Sequence, residues 1–326
     1  ARLTLEAIGT ASGFGGTAND SETFYAFTSF ATPTTIYRLD TATGRTEVFA
    51  RPQVSFNPAD YSIEQRFYTS RDGTRVPMFI THRKDLVKTG DTPTMLYGYG
   101  GFNVSLTPSF SPTVFAWLEM GGVYAVANLR GGGEFGPNWH QTAIRENKQR
   151  TWDDFISVAE DLVQRGFTKP QHLGIQGGSQ GGLLVGTAFT QRPDLFGAAI
   201  VQIPLFDMLR YHLIGRGASW IGEYGDPRIP EQRAWIEGYT PYQKIVAGVD
   251  YPSPFLWAST ADDRTHQHRH ECYGQPRRRG RRGARHRRSR GSPCAPRCRH
   301  PREGPQLPSG SAMHAGLARL RHDAVR

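Results

Sequence analysis

Six residues, Gly177-Gly178-Ser179-Gln180-Gly181-Gly182, constrain the fold of this chain more than any other part of it. The stretch His172–Gln176 before them has the length of a buried strand, and the apolar run Leu183–Gln191 after them has the length of a helix. A strand that turns into a helix within so few residues must bend sharply and bring its backbone close to its neighbours. Glycine on both sides of the serine permits that, because a Cβ at those positions would collide with adjacent backbone.

The alternation of strand and helix extends in both directions. Thr94–Tyr99 and Val123–Leu129 are buried-strand candidates, each running into a glycine cluster, and Ala198–Ile203 and Phe255–Thr260 are two more. Thr151–Arg165 is the best-marked helix: Trp152, Phe155, Ile156, Ala159, Leu162 and Val163 share one face. Thr151 with Asp154 matches a capping box, acids in the first turn suit the helix dipole, and Gly166 closes the helix. Such alternation predicts a mostly parallel α/β sheet with flanking helices. Tyr61–Ser70 and Arg75–Thr81 read as a hairpin around Asp72-Gly73. Residues 1–55 differ: Ser21–Thr28 and Thr34–Asp40 are β-rich runs, with a turn from Thr41 to Gly44. That is too little for an independent β domain, so it is expected to end a larger repeat array beginning upstream.

Charge separates the chain at its other end. The 39 basic and 29 acidic residues give a net +10, which suggests a nucleic-acid binder until position is considered. Residues 264–326 hold 17 Arg, no Lys and only the acids Glu271, Glu303 and Asp323, so the remainder is net acidic. The same tail holds all three cysteines, seven of the eleven histidines and no Phe, Trp or Ile. It cannot bury enough apolar surface to offset its ordering entropy and is expected to be disordered. With no Lys and almost no aromatics it offers phosphates non-specific attraction only, so no specific nucleic-acid partner is expected. An odd cysteine count confined to the tail argues against a disulfide scaffold. No stretch reaches the ~18 apolar residues of a membrane span. The first thirty residues lack the pattern of a secretory signal, and a cytoplasmic location is expected.

Within Gly177–Gly182 lies the pattern G-x-S-x-G, which places a serine on a strained turn where its hydroxyl is presented for chemistry. A serine hydroxyl is a poor nucleophile near neutral pH and needs a base, usually histidine, oriented by a carboxylate. The chain order for such a fold is Ser, then Asp or Glu, then His. Asp262 and Asp263 follow the last strand candidate, where that acid belongs. The base must then come from His266, His268, His270, His286, His300, His314 or His322, all in the tail. His266, His268 and His270, with Cys272 nearby, invite a metal reading, but no CxxC or HExxH spacing supports one. No metal and no cofactor is expected.

Several strings together resemble the catalytic half of the prolyl oligopeptidase family of serine peptidases. They are Tyr97–Ser105 (YGYGGFNVS), Gly121–Trp139, Asn147–Phe155, Gly177–Leu184, Gln191–Phe196, Ala218–Gly225 (ASWIGEYG), Tyr251–Pro254 and Asp262-Asp263-Arg264. The resemblance covers roughly residues 60–265. It implies an α/β-hydrolase fold over 56–264, preceded in 1–55 by the last part of a β-propeller, with 265–326 as an aberrant Arg-rich tail. It further implies Ser179 as nucleophile, Asp262 as the acid that orients the histidine, and Tyr99 as an oxyanion-hole hydroxyl beside the backbone N–H of Gln180. The family usually has Asn where Gln180 stands. Trp220 would stack on a substrate proline with Phe102 lining the pocket, and Arg264 would bond a substrate carbonyl.

The implied activity is hydrolysis of short peptides on the carboxyl side of proline, by a monomer. The family continues past the acid with a helix, a strand and a Gly-Gly-His loop, and nothing after Thr265 resembles this. His300 lies at a suitable distance, but its setting Arg297-Cys298-Arg299-His300-Pro301 has neither the glycines nor a strand. A shifted reading frame in GC-rich coding DNA would give such a composition. Two alternatives follow: a catalytically dead fragment lacking its histidine, and a non-specific nucleic-acid binder acting through the tail.

Overall fold

The computed structural model describes residues 3–257 apart from 6 and 18. Asp262, Asp263, Arg264, the seven tail histidines, Cys272 and the expected disorder of the tail all lie outside the described residues.

Four short strands come first: β1 (Thr10–Gly13), β2 (Glu22–Thr28), β3 (Thr35–Asp40) and β4 (Thr46–Ala50). They pair antiparallel in sequential order. Strand alternation sends Tyr25, Phe27 and Tyr37 to one side, where they are buried, and leaves Phe24, Ile36 and Phe49 exposed. This sheet is tied to the rest of the protein by Thr10, whose hydroxyl donates to the Pro108 carbonyl at 2.7 Å, and by the Phe110 N–H, which donates to the Thr28 hydroxyl at 3.1 Å.

The second sheet begins with the hairpin β5 (Tyr61–Thr69) and β6 (Arg75–Arg83), turning at Asp72-Gly73 as the sequence predicts. There follow β7 (Thr94–Tyr97), helix α1 (Pro112–Glu119), β8 (Val123–Ala127), α2 (Pro137–Gln141) and α3 (Gln149–Gln164). Next come β9 (Leu173–Gly178), α4 (Gln180–Gln191), β10 (Ala198–Gln202), α5 (Ile221–Tyr224), α6 (Pro230–Glu237), α7 (Pro241–Lys244) and β11 (Ser253–Trp257). Among the described residues the strand order is β11-β10-β9-β7-β8-β6-β5. The first five run parallel and the hairpin closes the far edge antiparallel.

Period-two alternation gives this sheet two cores. Val123, Ala125 and Ala127 of β8 face one side with Trp152, Phe155 and Leu162 of α3 and Leu183 and Leu184 of α4. Tyr124 and Val126 face the other side with Phe115, Trp117 and Leu118 of α1 and with Phe30. Covering helices on both faces are what a buried parallel sheet requires. Among the described residues no helix is long and apolar enough to cross a membrane.

One local expectation is corrected. α3 starts at Gln149, two residues before Thr151, and Lys148 precedes it without a side-chain cap. Thr151 instead donates its hydroxyl to the Arg130 carbonyl at 3.0 Å, and the buried Asp154 accepts from Arg130 Nε at 2.9 Å. A buried guanidinium needs a carboxylate, and that tertiary demand overrides the capping-box pattern.

Candidate active site

Ser179 is the single residue between β9 and α4, with φ 57° and ψ −116°. Such a conformation costs a non-glycine residue about 1–3 kcal/mol and must be imposed by its surroundings. The Ser179 N–H donates to the Gln202 carbonyl at 2.9 Å, and the Ser179 carbonyl accepts from the N–H groups of Gly182 at 2.9 Å and Leu183 at 3.1 Å. The motif glycines admit this geometry. A Cβ on Gly177 would stand 2.2 Å from the Gly181 carbonyl oxygen, and one on Gly181 would stand 2.7 Å from the Gly98 oxygen.

The chain leaving β7 comes up beside the serine. Tyr99 is half-buried; burial raises its phenol pKa and a hydrogen bond with Ser179 opposes that rise. The net shift is upward, so Tyr99 keeps its proton through the neutral range and remains a donor. Gln180 is the first residue of α4, where a backbone N–H has no partner inside the helix. Its side chain points inward and is fully buried. Nε2 donates to the Gly100 carbonyl at 3.1 Å, and Oε1 accepts the Tyr224 hydroxyl. An Asn here would be one methylene shorter in the same tie.

Phe102 and Trp220 come together as an aromatic corner. Their ring centroids are 6.5 Å apart and edge-on, and Phe102 meets Tyr224 in the same way at 5.8 Å. Phe102 and its neighbour Asn103 both have left-handed backbones, φ 54° and 58°. The Phe102 N–H donates to Glu223 Oε1 at 3.2 Å, which fixes that bend. Ser179, Tyr99, Gln180, Phe102 and Trp220 are therefore brought to one end of the sheet by β7, β9 and the 3-10 turn Gly217–Trp220 that precedes α5. Trp257, the last described residue, also belongs to that end: Gly178 pairs with Gln202 and Gln202 with Trp257 in parallel register.

Sequence reasoning did not single out Tyr224, Lys148, Glu223 or His140. Lys148 is fully buried, its Nζ donating to Glu223 Oε1 at 2.7 Å and to the Gly100 carbonyl at 3.0 Å. His140 Nε2 lies 2.7 Å from Glu223 Oε2. Burial pushes the Glu223 carboxyl up, but the charge and hydrogen bond of Lys148, with bonds from His140 and the Phe102 N–H, carry it below its ordinary range. Lys148, Glu223 and Tyr224 sit within Asn147–Phe155 and Ala218–Gly225, strings already marked by resemblance, but nothing in a linear sequence shows that they meet.

A mostly parallel sheet carrying a strained serine on the turn between a strand and its following helix defines an α/β hydrolase. The profile of the Prolyl oligopeptidase family matches residues 108–273, about half of the chain, and that of the prolyl oligopeptidase N-terminal beta-propeller domain matches residues 1–52. The chain belongs to the prolyl oligopeptidase family. It is 44% identical over 263 residues to the prolyl endopeptidase of Elizabethkingia meningoseptica, covering 80% of this chain and 37% of that relative. A solved prolyl endopeptidase superposes with a TM-score of 0.77 at 49% identity, over 81% of this chain and 39% of that one. Prolyl oligopeptidase B of Galerina marginata, solved with a 35-residue hydrolysis and macrocyclization substrate, gives 0.76 at 35% identity, over 81% and 38%. The chain thus spans well under half the length of these relatives.

Proposed function

We propose that this chain carries the catalytic part of a serine endopeptidase that cleaves short peptides on the carboxyl side of proline, through an acyl-enzyme on Ser179. The observation that carries the reading is the strained Ser179 on the turn between β9 and α4, at the end of the sheet where β7 delivers Tyr99 and the Phe102–Trp220 corner. Ser179 Oγ attacks the carbonyl that follows the proline ring. The Tyr99 hydroxyl and the Gln180 N–H receive the oxyanion. A proline ring is flat and apolar, and the edge-on aromatic pair offers it a slot with stacking surface. Asp262 orients one of the seven histidines that follow it, which takes the serine proton and returns it to the leaving amine, and Arg264 bonds a substrate carbonyl. Asp262 follows Trp257 by five residues, and Trp257 leaves the sheet at the serine's end.

Residues 1–55 act as the last part of a propeller and 56–264 as the peptidase domain in this reading. The exposed Phe24, Ile36 and Phe49 give the four-stranded sheet a face suited to a neighbouring blade. A second reading, a fragment that binds peptide without turning it over, is favoured by one feature: no Gly-Gly-His string follows Thr265. The test is turnover of a prolyl-peptide anilide by the full chain and by Ser179→Ala. The substitution is expected to lower turnover by about six orders of magnitude, as loss of such a nucleophile does elsewhere, with an unchanged circular dichroism spectrum. Equal turnover by both proteins sinks the assignment of Ser179. Binding of a prolyl peptide without turnover by the unsubstituted chain selects the second reading.

A further inference from the structure

A fully buried lysine beside a substrate site asks for a reason. Two charges withdrawn from water cost more than their mutual attraction commonly returns, and apolar residues of the same size would often serve stability as well. Lys148 and Glu223 nevertheless form such a pair, at 0% and 4% side-chain exposure. The Lys148 ammonium also lies 5.5 Å from the centre of the Trp152 ring and 5.8 Å from that of Tyr224.

What the pair holds is specific. The segment Gly100–Asn103 contains left-handed residues at Gly100 (φ 65°), Phe102 (φ 54°) and Asn103 (φ 58°), two of them not glycine. Lys148 grips the carbonyl of Gly100, the residue after Tyr99. Glu223 grips the N–H of Phe102, and His140 occupies the other carboxylate oxygen. Gln180 takes the second acceptor direction of the same Gly100 carbonyl, and its own amide oxygen is held by Tyr224. The oxyanion donor and the pocket aromatic are thus fixed from below, by one cation and one carboxylate bonded to each other.

We infer that Lys148 and Glu223 are positioning residues, a buried ion pair that sets the placement of Tyr99 and Phe102 together. The inference uses the peptidase reading only for what those two groups then do to substrate. Because Glu223 Oε1 accepts both the Phe102 N–H and the Lys148 ammonium that grips Gly100, a shift on one side moves the other, so catalysis and proline selection are coupled. A pair serving stability alone would have no reason to end on the two backbone groups that flank Gly101.

The test uses the full chain and the double variant Lys148→Met/Glu223→Gln, which removes both charges at nearly constant shape. Lys148→Met alone strands a buried carboxylate and is expected to fold poorly, so the double variant is the informative one. Hydrogen exchange over 99–104 is expected to rise at least tenfold in it, while β8, β9 and α4 keep their protection. Unchanged exchange over 99–104 overturns the inference. A uniform rise across β8, β9 and α4 also overturns it, by making the pair a stabiliser of the whole core.

A second readout compares a peptidyl-proline aldehyde with the corresponding pyrrolidide, which has the ring but no reacting aldehyde. Ser179 Oγ adds to the aldehyde carbon as the C=O π bond opens, and the serine proton ends on the new hemiacetal oxygen, so no co-reactant is consumed. The preference for aldehyde over pyrrolidide is expected to fall at least tenfold in the double variant, and an unchanged preference counts against the inference. Should the unsubstituted chain bind neither compound, the peptidase reading fails, and the exchange result alone decides the role of the pair.

Discussion

The turn at Ser179 and the loop from Gly100 to Asn103 lie side by side, and both hold non-glycine residues at positive φ. They are held in different ways. The serine turn is fixed by backbone: its N–H and carbonyl bond other backbone groups, and its glycines leave room for close approach. The loop has backbone bonds too, the Asn103 N–H to the Gly131 carbonyl among them. Its Gly100 carbonyl and Phe102 N–H, however, are held by side chains, from Lys148, Gln180 and Glu223, which lie 48, 80 and 121 residues from the groups they grip. A backbone-held bend should fail through added volume. A side-chain-held bend should fail through loss of a single polar group, with volume unchanged.

The largest effect is expected from adding one methyl group to the first of these. Ala at Gly177 would place its Cβ 2.2 Å from a carbonyl oxygen that belongs to the helix start and cannot swing aside. Gly177→Ala is therefore expected to cost at least about 4 kcal/mol, or to prevent folding. Gly178→Ala is the control, because its Cβ meets nothing closer than 3.6 Å and should change stability by less than about 1 kcal/mol. Chemical denaturation of both proteins checks this. Equal stabilities would show that the turn has slack and that its glycines are not demanded by packing.

The contrast also explains what could be seen in the sequence. The serine turn was legible because its causes are local: glycine spacing and the strand and helix that flank it lie within twenty residues. The parallel sheet was legible for the same reason, since each strand carries its own run of apolar residues. Tyr99 and Phe102 were reached through resemblance, not through pattern. Lys148 and Glu223 were not reached at all, because a lysine ahead of a helix looks like a solvated charge until the fold closes over it. Thr151 and Asp154 failed in the opposite direction, a good local pattern claimed by the distant Arg130.

A smaller change sharpens the comparison on the loop side. Tyr99→Phe keeps the ring and removes only the hydroxyl. Loss of one oxyanion donor elsewhere costs about 2.7–4 kcal/mol of transition-state stabilisation, a fall of about 100- to 1,000-fold in kcat. The expected result is a fall of that size with KM nearly constant, since the ring still lines the site. A rise in KM with kcat unchanged would mean that Tyr99 binds substrate uniformly and does not favour the transition state. Paired with Lys148→Met/Glu223→Gln, the substitution should be less than additive, because both act through one hydroxyl.

The smallest effect falls where local and distant causes meet in one residue. Asp72 belongs to the Asp-Gly hairpin turn that the sequence shows, and its carboxylate also bonds the Arg130 guanidinium. Arg130 in turn carries the loop onto which the Asn103 N–H docks, through the Gly131 carbonyl at 3.1 Å. The bond from Arg130, opposed by burial, holds the Asp72 carboxyl well below its ordinary value of 3.8. A depressed carboxyl contributes stability that is complete above the unfolded pKa and is lost as pH falls below about 4 toward the folded one. Asp72 is 43% exposed, so solvent screens the pair and the contribution is about 1 kcal/mol or less. Asp72→Asn should therefore lower stability slightly at pH 7 and flatten the acid limb of a stability–pH curve below pH 4, the two proteins converging at the lowest pH. A difference that persists undiminished at pH 2 would assign the effect to the hairpin turn itself, and the strap to Arg130 would then be carried by Asp154 with the Thr74 and Ser70 hydroxyls.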